Sequence, residues 1–231
     1  MIIIHTMKTL ITFPHAHIGA FNRSYRAKIA KKEAILKIYD NKKIASFTRK
    51  LDKNHQKIVK NASKRKITPN LLFLNESLII QEYLKNIPIS RKNFLKGNII
   101  SRFKKTLENF QTSKIEKTLS LYDQIISYKG VLKNKGLFKQ IISNTEGIKK
   151  YIDKYRQDYL CHGDLHFENI IHHKGKIYFI DLDYVCVSAK GYDIAMLIYQ
   201  EKISKKEIKE ISKKLQMNIN QILHYIPICY L

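Results

Sequence analysis

The chain has 231 residues, a mass of 27.2 kDa and a formal net charge of +24, from 43 Lys+Arg against 19 Asp+Glu. Apolar residues at 44% and charged residues at 27% exclude a disordered tail and describe one or two small globular lobes. Three cysteines without a CxxC pair (Cys161, Cys186, Cys229) exclude a disulfide scaffold or zinc ribbon, and no apolar run approaches the ~18 residues of a membrane-spanning helix.

Met1 to Ile18 has no signal-peptide pattern, because His5, Lys8 and Pro14 break its short apolar runs. A reducing cytoplasm is the expectation. Tyr25 to Ala30 and Ala34 to Tyr39 read as a hairpin turning at Lys31-Lys32. Residues 42–64 read as a basic helix with Ile44, Phe47, Leu51, Ile58 and Val59 on its apolar face, leaving towards Pro69. Leu71 to Leu74 and Leu78 to Tyr83 form a second hairpin around Asn75-Glu76. After Pro88, residues 98–128 and 136–157 read as long helices. Tyr159 to Cys161 is short and apolar, and a polar loop runs from His162 to Asn169. Ile170 to His172 and Ile177 to Ile180 are strands around Lys174-Gly175, and residues 192–201 and 204–226 read as helices. The pattern is α+β, with two lobes and a cleft: a β-rich N-lobe, residues 1–84, and a mainly helical C-lobe, residues 85–231.

The positive charge invites a nucleic-acid reading. The composition argues otherwise. There are 36 Lys against 7 Arg and 37 Ile against 4 Val, a skew towards AT-rich codons, and the lysines are spread along the whole chain. Arg forks and aromatic platforms, which a nucleic-acid groove needs, are scarce. Nucleic acid is not an expected partner.

The chemistry concentrates in one segment. His162-x-Asp164-x-x-x-x-Asn169 has the spacing of a phosphotransferase catalytic loop, and Asp181-x-Asp183 follows after a hairpin that returns the chain to the same place. Phosphoryl transfer needs positioning and charge neutralisation. Asp164 can accept the acceptor's hydroxyl proton, and Asn169, Asp181 and Asp183 offer oxygens suited to Mg²⁺. The bland alternative for a lone His-x-Asp is a loop hydrogen bond, but here the loop, the hairpin and the second acidic pair coincide. His166, His172 and His173 raise the possibility of zinc, but no cysteine lies at zinc spacing and neighbours in a strand face opposite ways.

At these residues the sequence resembles the aminoglycoside phosphotransferase and choline kinase superfamily. Ile180-Asp181-Leu182-Asp183-Tyr184 is similar to its I-D-W/F-E-Y element, and Tyr192-Asp193-Ile194-Ala195 to its D-L/I-A segment. The resemblance implies a protein-kinase-like two-lobed fold, ATP and Mg²⁺ as cofactors, and a small-molecule alcohol as acceptor. It implies Asp164 and His162 as catalytic, and Asn169, Asp181 and Asp183 at the metal. Asp193 is then structural, buttressing the loop. Gly19 to Tyr25 resembles the nucleotide loop, with Gly19 and Asn22 near the phosphates, and Lys37 in Ile35-Leu36-Lys37-Ile38 becomes a phosphate ligand. Asp52 stands where a helix Glu usually pairs with that lysine. The Glu82 carbonyl and the Leu84 N–H would meet adenine. There is no D-F-G and no A-P-E, so a protein kinase is not expected.

The acceptor is less determined. Residues 67–77 resemble bacterial thiamine kinases, while the nucleotide loop and Asp181-x-Asp183-Tyr184 resemble the choline kinase type. Tyr184, Tyr192, Tyr199 and Tyr225 are candidate rings for a quaternary ammonium, or ordinary core tyrosines. The first expectation is a thiamine kinase acting as a monomer. A choline or ethanolamine kinase, an aminoglycoside phosphotransferase and an inactive nucleotide-binding relative follow in that order.

Overall fold

The structure, a computed structural model, describes residues 16–18, 22–29, 32–39, 51–96, 98–114, 118–127, 145–155 and 158–230. It divides into two compact units, Met1–Lys85 and Asn86–Leu231.

The first unit is built on an antiparallel sheet. Strands β1 (Ala16–Ile18), β2 (Asn22–Ile29) and β3 (Lys32–Tyr39) precede helix α1 (Lys53–Lys64), then β4 (Leu71–Leu74) and β5 (Leu78–Glu82), in the order β1-β2-β3-β5-β4. Alternation in β3 sends Ala34 and Leu36 inward, where they pack with Ala27 and Ile80. Tyr39, Leu51 and Ile79 form a second small core. The anticipated helix over 42–64 starts at Lys53, since the Asp52 carboxylate accepts the His55 N–H at 2.7 Å and caps it. Its portion at 42–50 lies outside the described residues.

The second unit contains α2 (Arg91–Phe94), α3 (Ile99–Gln111), α4 (Leu121–Ser127), α5 (Thr145–Asp153), β6 (Tyr159–Cys161), β7 (Ile170–His173), β8 (Lys176–Phe179), β9 (Cys186–Ser188), α6 (Tyr192–Gln200), α7 (Lys205–Leu215) and α8 (Ile219–Tyr225). The span read as one helix over 98–128 is two. Thr112 and Ser113 turn their hydroxyls to the carbonyls of Glu108 (2.8 Å) and Asn109 (3.1 Å), closing α3. Ser120 then bridges to Val187 beside β9. The span 204–226 is also two helices, broken where Gln216 takes a left-handed conformation (φ 56°) and Asn218 caps α8. Residues 136–144 lie outside the described residues. Among the described residues, no helix is long and apolar enough to cross a membrane.

Strands β7 and β8 form the expected hairpin. The β6–β9 pair, with Cys161 opposite Cys186, was not anticipated. It sits in a core of Leu121, Ile152, Tyr192, Ala195 and Tyr225. Phe103, Phe110 and Phe179 are fully buried, and Phe110 and Phe179 pack edge-on (ring centroids 6.2 Å apart) beneath the His162 loop. The β6–β9 pair and this aromatic layer hold the loop from opposite ends.

Candidate active site

The site residues of the second unit lie between β6 and β9. His162 is fully buried, its ring edge-on to Phe179 at 5.9 Å. Nε2 donates to the Ile180 carbonyl at 2.8 Å, so Nδ1 is the lone-pair nitrogen, and the Asp164 N–H donates to it at 3.3 Å. Burial pushes the imidazole down to about 4 and keeps it neutral. His162 therefore does not reach a substrate. It ties the loop to the residue before Asp181, and the catalytic assignment becomes a positioning one.

Asp193, at the start of α6, has no exposed surface. Its carboxylate accepts the N–H groups of His162 and Gly163, both at 3.1 Å. Burial pushes it from the ordinary 3.8 up to about 6, against those two donors and Gln111, which hold it down. Ionising it costs more in the folded chain than in the unfolded one. Its contribution to stability is therefore full below about pH 4, falls as pH rises to about 6, and is level above. Thermal melts of wild type and Asp193→Asn between pH 4 and 7 check this. The wild-type advantage shrinks across that window; an advantage that grows with pH contradicts it.

Asp164 is partly exposed, and Asn169 Nδ2 donates to both its carbonyl (2.8 Å) and its Oδ2 (3.2 Å). Burial works against ionisation of Asp164, but His166, His162 and Asn169 outweigh it, and the carboxyl lies below its ordinary value. Turning the Asn169 nitrogen inward leaves its oxygen for a cation. Asp181 sits in the left-handed region (φ 60°, ψ 60°) at the mouth of a short turn, Leu182–Tyr184, that carries Asp183. A non-glycine residue there is strained, and such strain gathers at functional sites. Among the described residues, no three His, Cys, Asp or Glu side chains converge as a ready metal cage.

Asp164 lines a cavity of about 220 Å³ together with Gly163, Tyr184, Tyr192, Met196, three α4 residues (Leu121, Gln124, Ile125) and Ile228-Cys229. Of the four candidate tyrosines, Tyr184 and Tyr192 line it, whereas Tyr225 is wholly buried core. Gln124 went unnoticed in the sequence. Its signal was a polar residue three places after Leu121 on an apolar stripe, where a core residue is expected.

The other candidates belong to the first unit. Asn22 opens β2 and is buried. Lys37, in β3, lies opposite Ser24 and Ile79, with its ammonium 5.4 Å from the centre of the Tyr39 ring. Asp52 serves as the N-cap of α1. One of its oxygens is committed to the cap of α1, and it forms no ion pair with Lys37 among the described residues. Glu82 ends β5, its N–H held by the Asn70 carbonyl at 2.9 Å, and Leu84 is buried beyond it. Gly19 lies outside the described residues.

An antiparallel N-terminal sheet, a mostly helical second unit and a His-x-Asp loop ahead of a hairpin are the parts of a kinase-like fold. The sequence pattern of choline/ethanolamine kinases matches residues 15–227. The chain belongs to that family. It is 30% identical over 134 residues to a LicA homolog of Mycoplasma capricolum subsp. capricolum, a match covering 56% of this chain. The match spans about half (54%) of that curated relative's length. The crystal structure of LicA in complex with AMP has a TM-score of 0.75 at 16% identity, covering 95% of this chain and 81% of that one. The choline kinase LicA of Streptococcus pneumoniae has a TM-score of 0.72 at 16% identity, covering 87% and 75%. At that identity both share the fold.

Proposed function

We propose that the chain transfers the γ-phosphoryl group of ATP to the hydroxyl of a small amino alcohol, choline or ethanolamine. The observation that carries this reading is Asp164 on the wall of a small cavity lined by Tyr184, Tyr192 and Met196. Aromatic faces attract a quaternary ammonium, and a cavity of about 220 Å³ lies below the ~300–1,000 Å³ that takes drug-sized ligands. Thiamine, with two rings, is the poorer fit, and family membership likewise favours the amino alcohols.

In the reaction the acceptor oxygen attacks the γ-phosphorus. An O–P bond forms, the bond to the β-phosphate oxygen breaks, ADP leaves and the hydroxyl proton passes to Asp164. Asp164 accepts that proton because its carboxylate stays ionised, and Asn169 fixes its orientation. Asn169, Asp181 and Asp183 would hold Mg²⁺, which neutralises phosphate charge when bound. In the first unit, Lys37 would pair with the α and β phosphates, and Gly19 and Asn22 would lie near them. The Glu82 carbonyl and the Leu84 N–H would meet adenine. AMP bound to LicA supports a nucleotide in this fold. A monomer in a reducing cytoplasm completes the proposal.

Initial rates with Mg-ATP and choline, ethanolamine, thiamine or an aminoglycoside test the acceptor. Choline or ethanolamine is expected to give the highest kcat/KM. Thiamine as the preferred acceptor overturns the reading of the cavity.

A further inference from the structure

The two oxygens of the Asp164 carboxylate are not equivalent. Asn169 Nδ2 donates to Oδ2 at 3.2 Å, and His166 Nε2 faces the same Oδ2 at 3.7 Å. Among the described residues no donor reaches Oδ1. On the phosphotransferase reading above, we infer that His166 is a positioning residue. Its Nε2–H and the Asn169 amide hold Oδ2 from two sides, so that Oδ1 is presented to the acceptor hydroxyl.

Nothing in the sequence pattern required this. The loop motif specifies His162, Asp164 and Asn169, and His166 stood out only as a candidate zinc ligand. The structure gives it a fixed frame. The His166 carbonyl accepts the Asn169 N–H at 3.0 Å. The next residue, Phe167, is buried against Phe94 (ring centroids 5.3 Å apart), and its N–H is held by Glu201 at 2.7 Å. The backbone on both sides of the imidazole is thus anchored, and the half-buried ring lies beside Asp164. A separation of 3.7 Å is longer than a hydrogen bond, but catalytic hydrogen bonds are often long before substrate binds and tighten in the complex. A nitrogen that faces a carboxylate oxygen must carry its hydrogen. That contrasts with His162, whose Nε2–H is spent on a backbone carbonyl.

The test uses the full chain. His166→Leu removes the donor, and His166→Gln keeps a donor on a side chain of similar reach. His166→Leu is expected to lose about ten- to a hundredfold in kcat with little change in acceptor KM. His166→Gln is expected to recover most of that loss, with Tm unchanged in both. Equal activity of His166→Leu and wild type overturns the inference. So does an equal loss in both variants with a matching fall in Tm, the mark of a merely structural role. A second readout needs no turnover. Long-range ¹⁵N–¹H spectra at pH 8 should show His166 protonated on Nε2, shifting in Asp164→Asn; a bare Nε2 overturns the inference. A wild type that phosphorylates no acceptor sinks the kinase reading, and the nitrogen spectrum then decides the contact by itself.

Discussion

Asp164→Asn should bring phosphoryl transfer close to zero while leaving the fold in place. The substitution keeps the size of the side chain and an oxygen for Asn169 Nδ2, which now donates to Asp164 Oδ2 at 3.2 Å. It removes the negative charge and with it the proton acceptor. A positioned general base contributes about 10²–10⁴-fold, so a loss in kcat of that order is expected. Acceptor KM should change far less, because the cavity walls are untouched. Asp164 is also partly exposed, so Tm should move little. Steady-state kinetics and a thermal melt on the same preparation measure both. Activity within a few-fold of wild type would mean that another group takes the proton.

Gly163→Ala should damage stability and activity together. Gly163 has φ +81°, and a Cβ built there would lie 1.9 Å from the Tyr184 carbonyl oxygen. The left-handed conformation alone costs a residue with a side chain about 1–3 kcal/mol. The contact adds to that, because the atom it strikes is backbone. Neither side yields easily. The Gly163 N–H is held by the buried Asp193, and Tyr184 ends the turn that carries Asp181 and Asp183. Relief must therefore displace either the Asp164 loop or the acidic turn, and Tyr184 also lines the cavity. For a chain of this size each kcal/mol lowers Tm by about 2–4 °C. The expected result is a drop of several such increments, with kcat falling further than lost stability explains. A variant with wild-type Tm and rate would show that loop and turn are not coupled through this glycine.

These two neighbours show how differently the site was written in the sequence. The spacing of Asp164, Asn169 and Asp181 was legible, because phosphoryl transfer constrains residue type and interval along one short stretch. The β7–β8 hairpin was legible too, since Lys174-Gly175 supplies the turn and both residues have positive φ. The role of His162 was not, because its burial depends on Phe110, in α3, and on Phe179 in β8. The β6–β9 pair escaped for a related reason. Two three-residue strands 25 positions apart carry no local periodicity, and only the fold brings Cys161 opposite Cys186. The helix breaks at Thr112 and Gln216 were hidden by polar residues that suit a helix surface equally well. The capping role of Asp52 was hidden because an N-cap and a lysine partner call for the same carboxylate. The cavity draws on α4, the loop, Tyr184, α6 and Ile228-Cys229, so no single window of sequence announces it.

On the proposed function, this chain moves phosphate from ATP to a small alcohol using Asp164. The most direct measurement is ³¹P NMR of wild type and Asp164→Asn incubated with Mg-ATP and choline or ethanolamine. Wild type is expected to produce a new phosphomonoester signal in step with ADP, and the variant neither. ADP appearing without the ester, or the same ester formed by Asp164→Asn, would rule out Asp164 as the proton acceptor of an alcohol kinase.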